Sequence, residues 1–143
     1  SEPAASEQGG GQQAGEARHQ IGKTYEVGGL KVTIGEIVVQ KDRVIVGMTL
    51  ENTADHTLSF FPDQGHVVVG NMQLEANPFM TEGEVSGEIA AGVKKEGVVH
   101  FLVPEGKSLD PAQVQEVRLN LGDVFDEEAL ETHEFSETIK LGA

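Results

Sequence analysis

A chain of 143 residues whose alternating apolar segments run without a break from about Thr24 to Leu141 has room for one core and not two. Its 24 acidic side chains against 10 Lys and Arg give a net charge of −14, which argues against nucleic acid or anionic headgroups as unaided partners. Cysteine is absent, and with it a disulfide scaffold, a Cys-ligated metal and a thiol nucleophile.

The first twenty residues, SEPAASEQGGGQQAGEARHQ, have no apolar periodicity, so residues 1–22 are expected to form a disordered tether and 23–143 the folded domain. Gly22-Lys23-Thr24 spells the end of a phosphate-binding loop, but Ala17 stands where that motif needs its first Gly, and strand-like sequence follows. From Leu30 the β signal is strong. Leu30, Val32 and Ile34 alternate with Lys31 and Thr33, Gly35 marks a bulge, and Ile37 to Val39 continue the strand. Lys41-Asp42 turns the chain into RVIVGMTLEN, in which Val44, Val46, Met48 and Leu50 share one face.

Asn52 to Asp55 is turn chemistry. Strands are then expected at TLSFF, HVVVG, MQLEA and EVSGEI, with breaks at Pro62 to Gly65 and at Asn77-Pro78. EGVVHFLVP is apolar on both faces, which predicts a central strand. VQEVRLNLG and HEFSETIKL supply the last two, and DEEALE between them has helical composition but is too short to stand alone. About seven to nine short strands without substantial helix predict an all-β, antiparallel β-sandwich, with a barrel as the rival.

Three segments, KTYEVGGLKVTIGEI, VIVGMTLENTADHTLSFFPDQGHVVV and EVSGEIAAGVKKEGVVHFLVPEG, make the chain resemble an immunoglobulin-like domain of unknown function found in bacterial lipoproteins. The shared marks are a strand ending in Asn52-Thr53, Gly65 after the next turn, the Gly92 to Gly97 stretch, and Val103-Pro104 closing a Val/Phe strand. The resemblance implies an immunoglobulin-like fold related to the immunoprotective secreted antigen of mycobacteria, an extracellular location tethered to the bacterial cell membrane, and no catalytic residue. The lipid-bearing Cys of such proteins is not in this sequence, so any membrane contact would run through an anchor outside it.

Candidate chemistry is sparse. Ser86 lacks the first Gly of a nucleophile elbow and is expected to be an outward strand residue. None of His19, His56, His66, His100 and His133 forms a zinc-gripping H-x-x-x-H pair. His66 and Met72 lie too far apart along a straight strand to share a copper ion, and Met48, Met72 and Met80 are expected as packing. His100, flanked by apolar residues, is expected to be hydrogen-bonded in the core or at an interface, and Phe60-Phe61 to pack at one end of the fold.

The densest charge lies between residues 123 and 137, where Asp123, Asp126, Glu127 and Glu128 are the weak metal candidates, for calcium above all. The leading expectation is a non-enzymatic envelope module with no cofactor, whose partner is an envelope protein, a glycan or another copy of itself. A cation or small-ligand carrier using the 123–137 segment is the alternative, and a carboxylate-based hydrolase the remote one.

Overall fold

The structure, a computed structural model, describes residues 12–13 and 15–141. Every strand pairing in it is antiparallel, and twelve strands follow one another with three single-turn 3-10 helices between them. The strands are β1 (Gln12–Gln13), β2 (Glu16–Val27), β3 (Leu30–Gln40), β4 (Arg43–Asn52), β5 (Leu58–Phe60) and β6 (His66–Val69). The second half holds β7 (Met72–Ala76), β8 (Glu82–Gly83), β9 (Gly87–Ile89), β10 (Lys94–Leu102), β11 (Glu116–Asp126) and β12 (Glu131–Lys140). Among the described residues, no helix is long and apolar enough to cross a membrane.

Alternation dictates the long strands. In β4 every second residue, from Val44 to Asn52, is buried, so the strand can present only one face to the core. β3 pairs with β4 across a two-residue turn at Lys41-Asp42, and its register shifts between Ile34 and Ile37, where Gly35 was expected to mark a bulge. β10 lies against β4 along nine residue pairs and carries β7 and β8 on its other edge, which makes it the central strand its two-sided sequence predicts.

The pairing path runs β1-β2-β3-β4-β10-β7-β6-β11-β5-β9, with β12 on the free side of β11. Its distant parts come back together. The Tyr25 ring of β2 meets the Phe135 ring of β12 edge-on, with centroids 5.4 Å apart and planes at 81°. One continuous apolar cluster therefore joins β3, β4 and β10 to β5, β6, β11 and β12, with Phe60, Phe101 and Phe135 as its largest members. Each fully buried side chain of this kind stabilises the fold by about 1.5–3 kcal/mol, an upper figure because the unfolded chain is not fully extended.

Three expectations change. Among the described residues the strand count is twelve rather than about seven to nine, because β1, β2 and the short β8 form pairings beyond those expected. The fold also begins before residue 23: β2 starts at Glu16, and Ala17 is only 1% exposed. Gly22-Lys23-Thr24 lies inside β2, beside a register shift between Gln20 and Lys23. Of the expected tether, residues 1–11 and 14 lie outside the described residues. Ser86, finally, sits in the bend between β8 and β9 rather than in a strand.

Two of the family-like marks have a steric reason. A Cβ on Gly65 would press on the backbone of Asn120 and Leu121, and one on Gly97 would press on the backbone of Glu82. Backbone atoms held in a sheet cannot move aside as a flexible side chain does.

Candidate functional site

The densest convergence of titratable side chains lies at one end of the fold, where the loop after β4 meets the turn between β11 and β12. His56 stands at its centre. Its Nδ1 is 2.8 Å from Asp55 Oδ1 and 2.9 Å from Glu128 Oε1, and its Nε2 is 2.9 Å from Asp126 Oδ1. Asp55 and Glu128 are exposed, whereas His56 and Asp126 are largely covered.

Local sequence builds both sides. Asn52, wholly buried at the end of β4, donates from Nδ2 to the carbonyls of His56 (2.9 Å) and Ile89 (2.8 Å), and its Oδ1 accepts from the Ala54 amide at 2.8 Å. That buried amide fixes the loop carrying Asp55 and His56. Across from it, Asp126 Oδ1 accepts from the amides of Glu128 and Ala129, both at 3.0 Å, as the cap of a helix-like turn. The helical composition of DEEALE is thereby used for a single turn that closes the β11–β12 hairpin.

Leu130 ends that turn with a φ of 58°, a left-handed conformation in which a Cβ is unfavourable, and it is 78% exposed. Leu130→Gly is accordingly expected to stabilise the protein by about 0.5–1 kcal/mol after the larger chain entropy of glycine is subtracted. Urea unfolding of the two proteins measures this.

The carboxylates act on the imidazole. Asp126 first, then Asp55, raise the His56 pKa to about 9, while its charge lowers that of Asp55. Asp126 is lowered mainly by the Ala129 amide and next by His56. The folded protein therefore holds a proton on His56 that the unfolded chain gives up near pH 6.5. This stabilisation is complete below about pH 6.5 and is lost as pH rises to about 9. His19, whose proton affinity burial lowers, acts in the opposite sense, so the readout is a difference. Subtracting the stability profile of His56→Gln from that of wild type should leave a fall between about pH 6.5 and 9; a flat difference would contradict it.

Of the four metal candidates from the sequence, only Asp126 and Glu128 enter this cluster. Glu127 turns away to accept from Ser59 Oγ at 3.1 Å, and Asp123 lies opposite Glu134 in the β11–β12 ladder. The residue that sequence reasoning missed as a partner is His56. Its only local signal was the adjacent Asp55.

The remaining candidates are dispersed. His100 accepts at Nδ1 from Arg43 (3.2 Å), since a guanidinium can only donate, and its Nε2 donates to Glu82 at 2.9 Å. This is the hydrogen-bonded role expected for it. The β6–β7 hairpin sets His66 opposite Glu75 and Met72 opposite Val69, so His66 and Met72 remain roughly 10 Å apart along the strands. Met48 is buried, Met72 packs on the core edge, and Met80 lies 3.6 Å from Arg43 Nη1. Phe60 is in the core, but Phe61 is 45% exposed.

No protein-family model matches the sequence, and no curated protein matches it. Solved bacterial structures do. The chain is similar to the yjhA protein from Bacillus subtilis, with 16% identity over 86% of this chain and 98% of that one, at a TM-score of 0.53. It is also similar to a conserved hypothetical protein from Bacillus anthracis, with 10% identity over 84% and 96% of the two chains, TM-score 0.54. A functionally unknown protein from Listeria monocytogenes shares 9% identity over 87% of this chain and 84% of its own, TM-score 0.59. At such identities the likeness is one of fold.

Proposed function

We propose that this chain is an immunoglobulin-like β-sandwich of the bacterial cell envelope, held outside the cell by a lipid anchor, that binds a partner without catalysis. The observation that supports it best is the state of the His56 cluster: three carboxylates surround the imidazole and keep it protonated at neutral pH. A general base works best with a pKa near the working pH, so this group is a structural cation there. The edge-on contact of Tyr25 with Phe135 supports two facing sheets.

Two measurements test the reading. In intact producing cells, external protease is expected to digest the native protein; protection until lysis would refute the location. Immobilised protein is expected to retain one envelope protein or cell-wall glycan saturably. Turnover of ester, amide or glycoside substrates by the pure protein, abolished by a point substitution, would refute the non-catalytic role.

A second reading, a divalent-cation carrier, is favoured by ligand atoms of Asp55, His56 and Glu128 lying within 4.8 Å of one another. One nitrogen and two carboxylate oxygens suit zinc better than the calcium expected from the acidic run. Asp126, behind Nε2, is placed as the carboxylate that orients a metal-binding imidazole. Because the metal would replace a proton, zinc affinity is expected to weaken about tenfold per unit as pH falls below 9 and to vanish in His56→Gln. Calorimetry at pH 8 with no heat at millimolar zinc would end this reading.

A further inference from the structure

Of the three arginines, two are neutralised where they stand. Arg18 pairs with Glu16 and Glu36, and Arg43 with Asp42. Arg118 has no carboxylate and no side-chain hydrogen bond among the described residues, in a chain whose net charge is −14. Among the described residues six of the seven lysines also lack a carboxylate partner, so Arg118 needs a distinguishing feature beyond its missing counter-ion.

The surroundings of Arg118 supply one. Val117 and Leu119 are buried, so Arg118 points to the outer face of β11, with Val68 of β6 and Thr138 of β12 directly beside it. The segment from Ser108 to Gln115 forms a wall, and the two enclose a cleft of about 440 Å³. That volume is in the range of small-molecule sites.

The wall is fixed before any ligand arrives. The Leu109 amide donates to the Lys41 carbonyl at 2.9 Å and its side chain is in the core. Asp110 caps the turn over Pro111–Gln113 through the Ala112 amide (3.2 Å), and the Leu141 amide donates to Gln115 O at 2.8 Å. A preformed wall spares a ligand the cost of ordering it.

We infer that this cleft binds a small monocarboxylate with an apolar body, its carboxylate on Arg118 and its body against Val68 and Val114. A guanidinium presents paired N–H donors that match a carboxylate. Ser108, Gln113 and Thr138 add neutral polar contacts. The two acids in the lining, Asp110 held as a cap and Glu116 held by Lys140 at 2.7 Å, select against more highly charged anions. One free cation among them suits one negative charge. The inference goes beyond the envelope reading and does not rest on it.

The test uses N-acetyl-L-leucine against N-acetyl-L-leucinamide, which differ only in the carboxylate, with amide NMR spectra of the whole chain as readout. The acid is expected to move the signals of Val68, Gly70 and Thr138 saturably in the millimolar range and to bind at least about tenfold more tightly than the amide. Arg118→Gln should remove that preference and Arg118→Lys keep part of it; the exposed side chain makes both variants compatible with folding, which their spectra verify. Equal binding of the two probes, an acid response unchanged in Arg118→Gln, no saturable shift at about 20 mM, or inorganic phosphate binding as tightly as the acid would each overturn the assignment.

Discussion

Asn52→Ala is expected to lower stability by about 3–5 kcal/mol, because it deprives three backbone groups of the wholly buried amide that holds them. Three bonds vanish together: those to the carbonyls of His56 and Ile89 and that from the Ala54 amide. Each abandoned group costs about 1–3 kcal/mol when water cannot replace the partner, and partial relaxation keeps the total below the sum. Thermal unfolding should fall by about 10–20 °C. Asn52→Asp should not rescue it. A carboxylate keeps the acceptor for Ala54 but sets oxygen against two carbonyl oxygens, with no donor for either. The substitution also reaches the site, since the loop holding His56 hangs from Asn52. In folded Asn52→Ala the His56 pKa, followed by NMR, should drop from about 9 towards its ordinary value. An unchanged pKa would mean that Asp126 and Glu128 position the imidazole without help from Asn52.

Phe135→Ala should cost a similar amount, about 3–5 kcal/mol, for a different reason. Phe135 is fully buried on β12, which is hydrogen-bonded to β11 alone, and its ring meets Tyr25 of β2. Among the described residues no backbone ladder joins β2 to β12, so side-chain contacts close the fold along that seam. Truncation leaves a cavity and removes the aromatic contact, whereas Phe135→Leu, which refills most of the volume, should cost only about 1–2 kcal/mol. Urea unfolding measures both. Faster hydrogen exchange in β12 and the second half of β2 than elsewhere would locate the loss at the seam; uniform exchange would contradict its closing role.

Much of the fold was legible because alternation encodes which face of a strand is buried. Val44 to Asn52, Leu30 to Ile34 and Val117 to Leu121 each follow period two in sequence and in burial. The turn at Lys41-Asp42, the shift near Gly35 and the stop at Pro62 follow from the conformations those residues permit. The start of the fold was not legible. Glu16 to Gln20 offers one buried apolar side chain, Ala17, to a window of polar residues, yet its backbone pairs with Glu36 to Gln40 as well as any apolar strand would. The acidic run was legible as charge but not as a site. Asp126 and Glu128 gained meaning only when the loop after β4 delivered His56 to them, while Glu127, beside them in sequence, went to Ser59.

The amino-acid order by itself thus determined the class of structure, the faces of the long strands, the places where the chain turns and the strong negative charge. The tertiary structure alone decided which strands are neighbours, the pairing of Glu16 to Gln20, the company of His56 and the lack of a partner for Arg118 among the described residues. The division has a physical cause. Burial is written in side-chain spacing, which is local, whereas partners are chosen through backbone hydrogen bonds that every residue offers alike, so their choice depends on the packing of the whole chain.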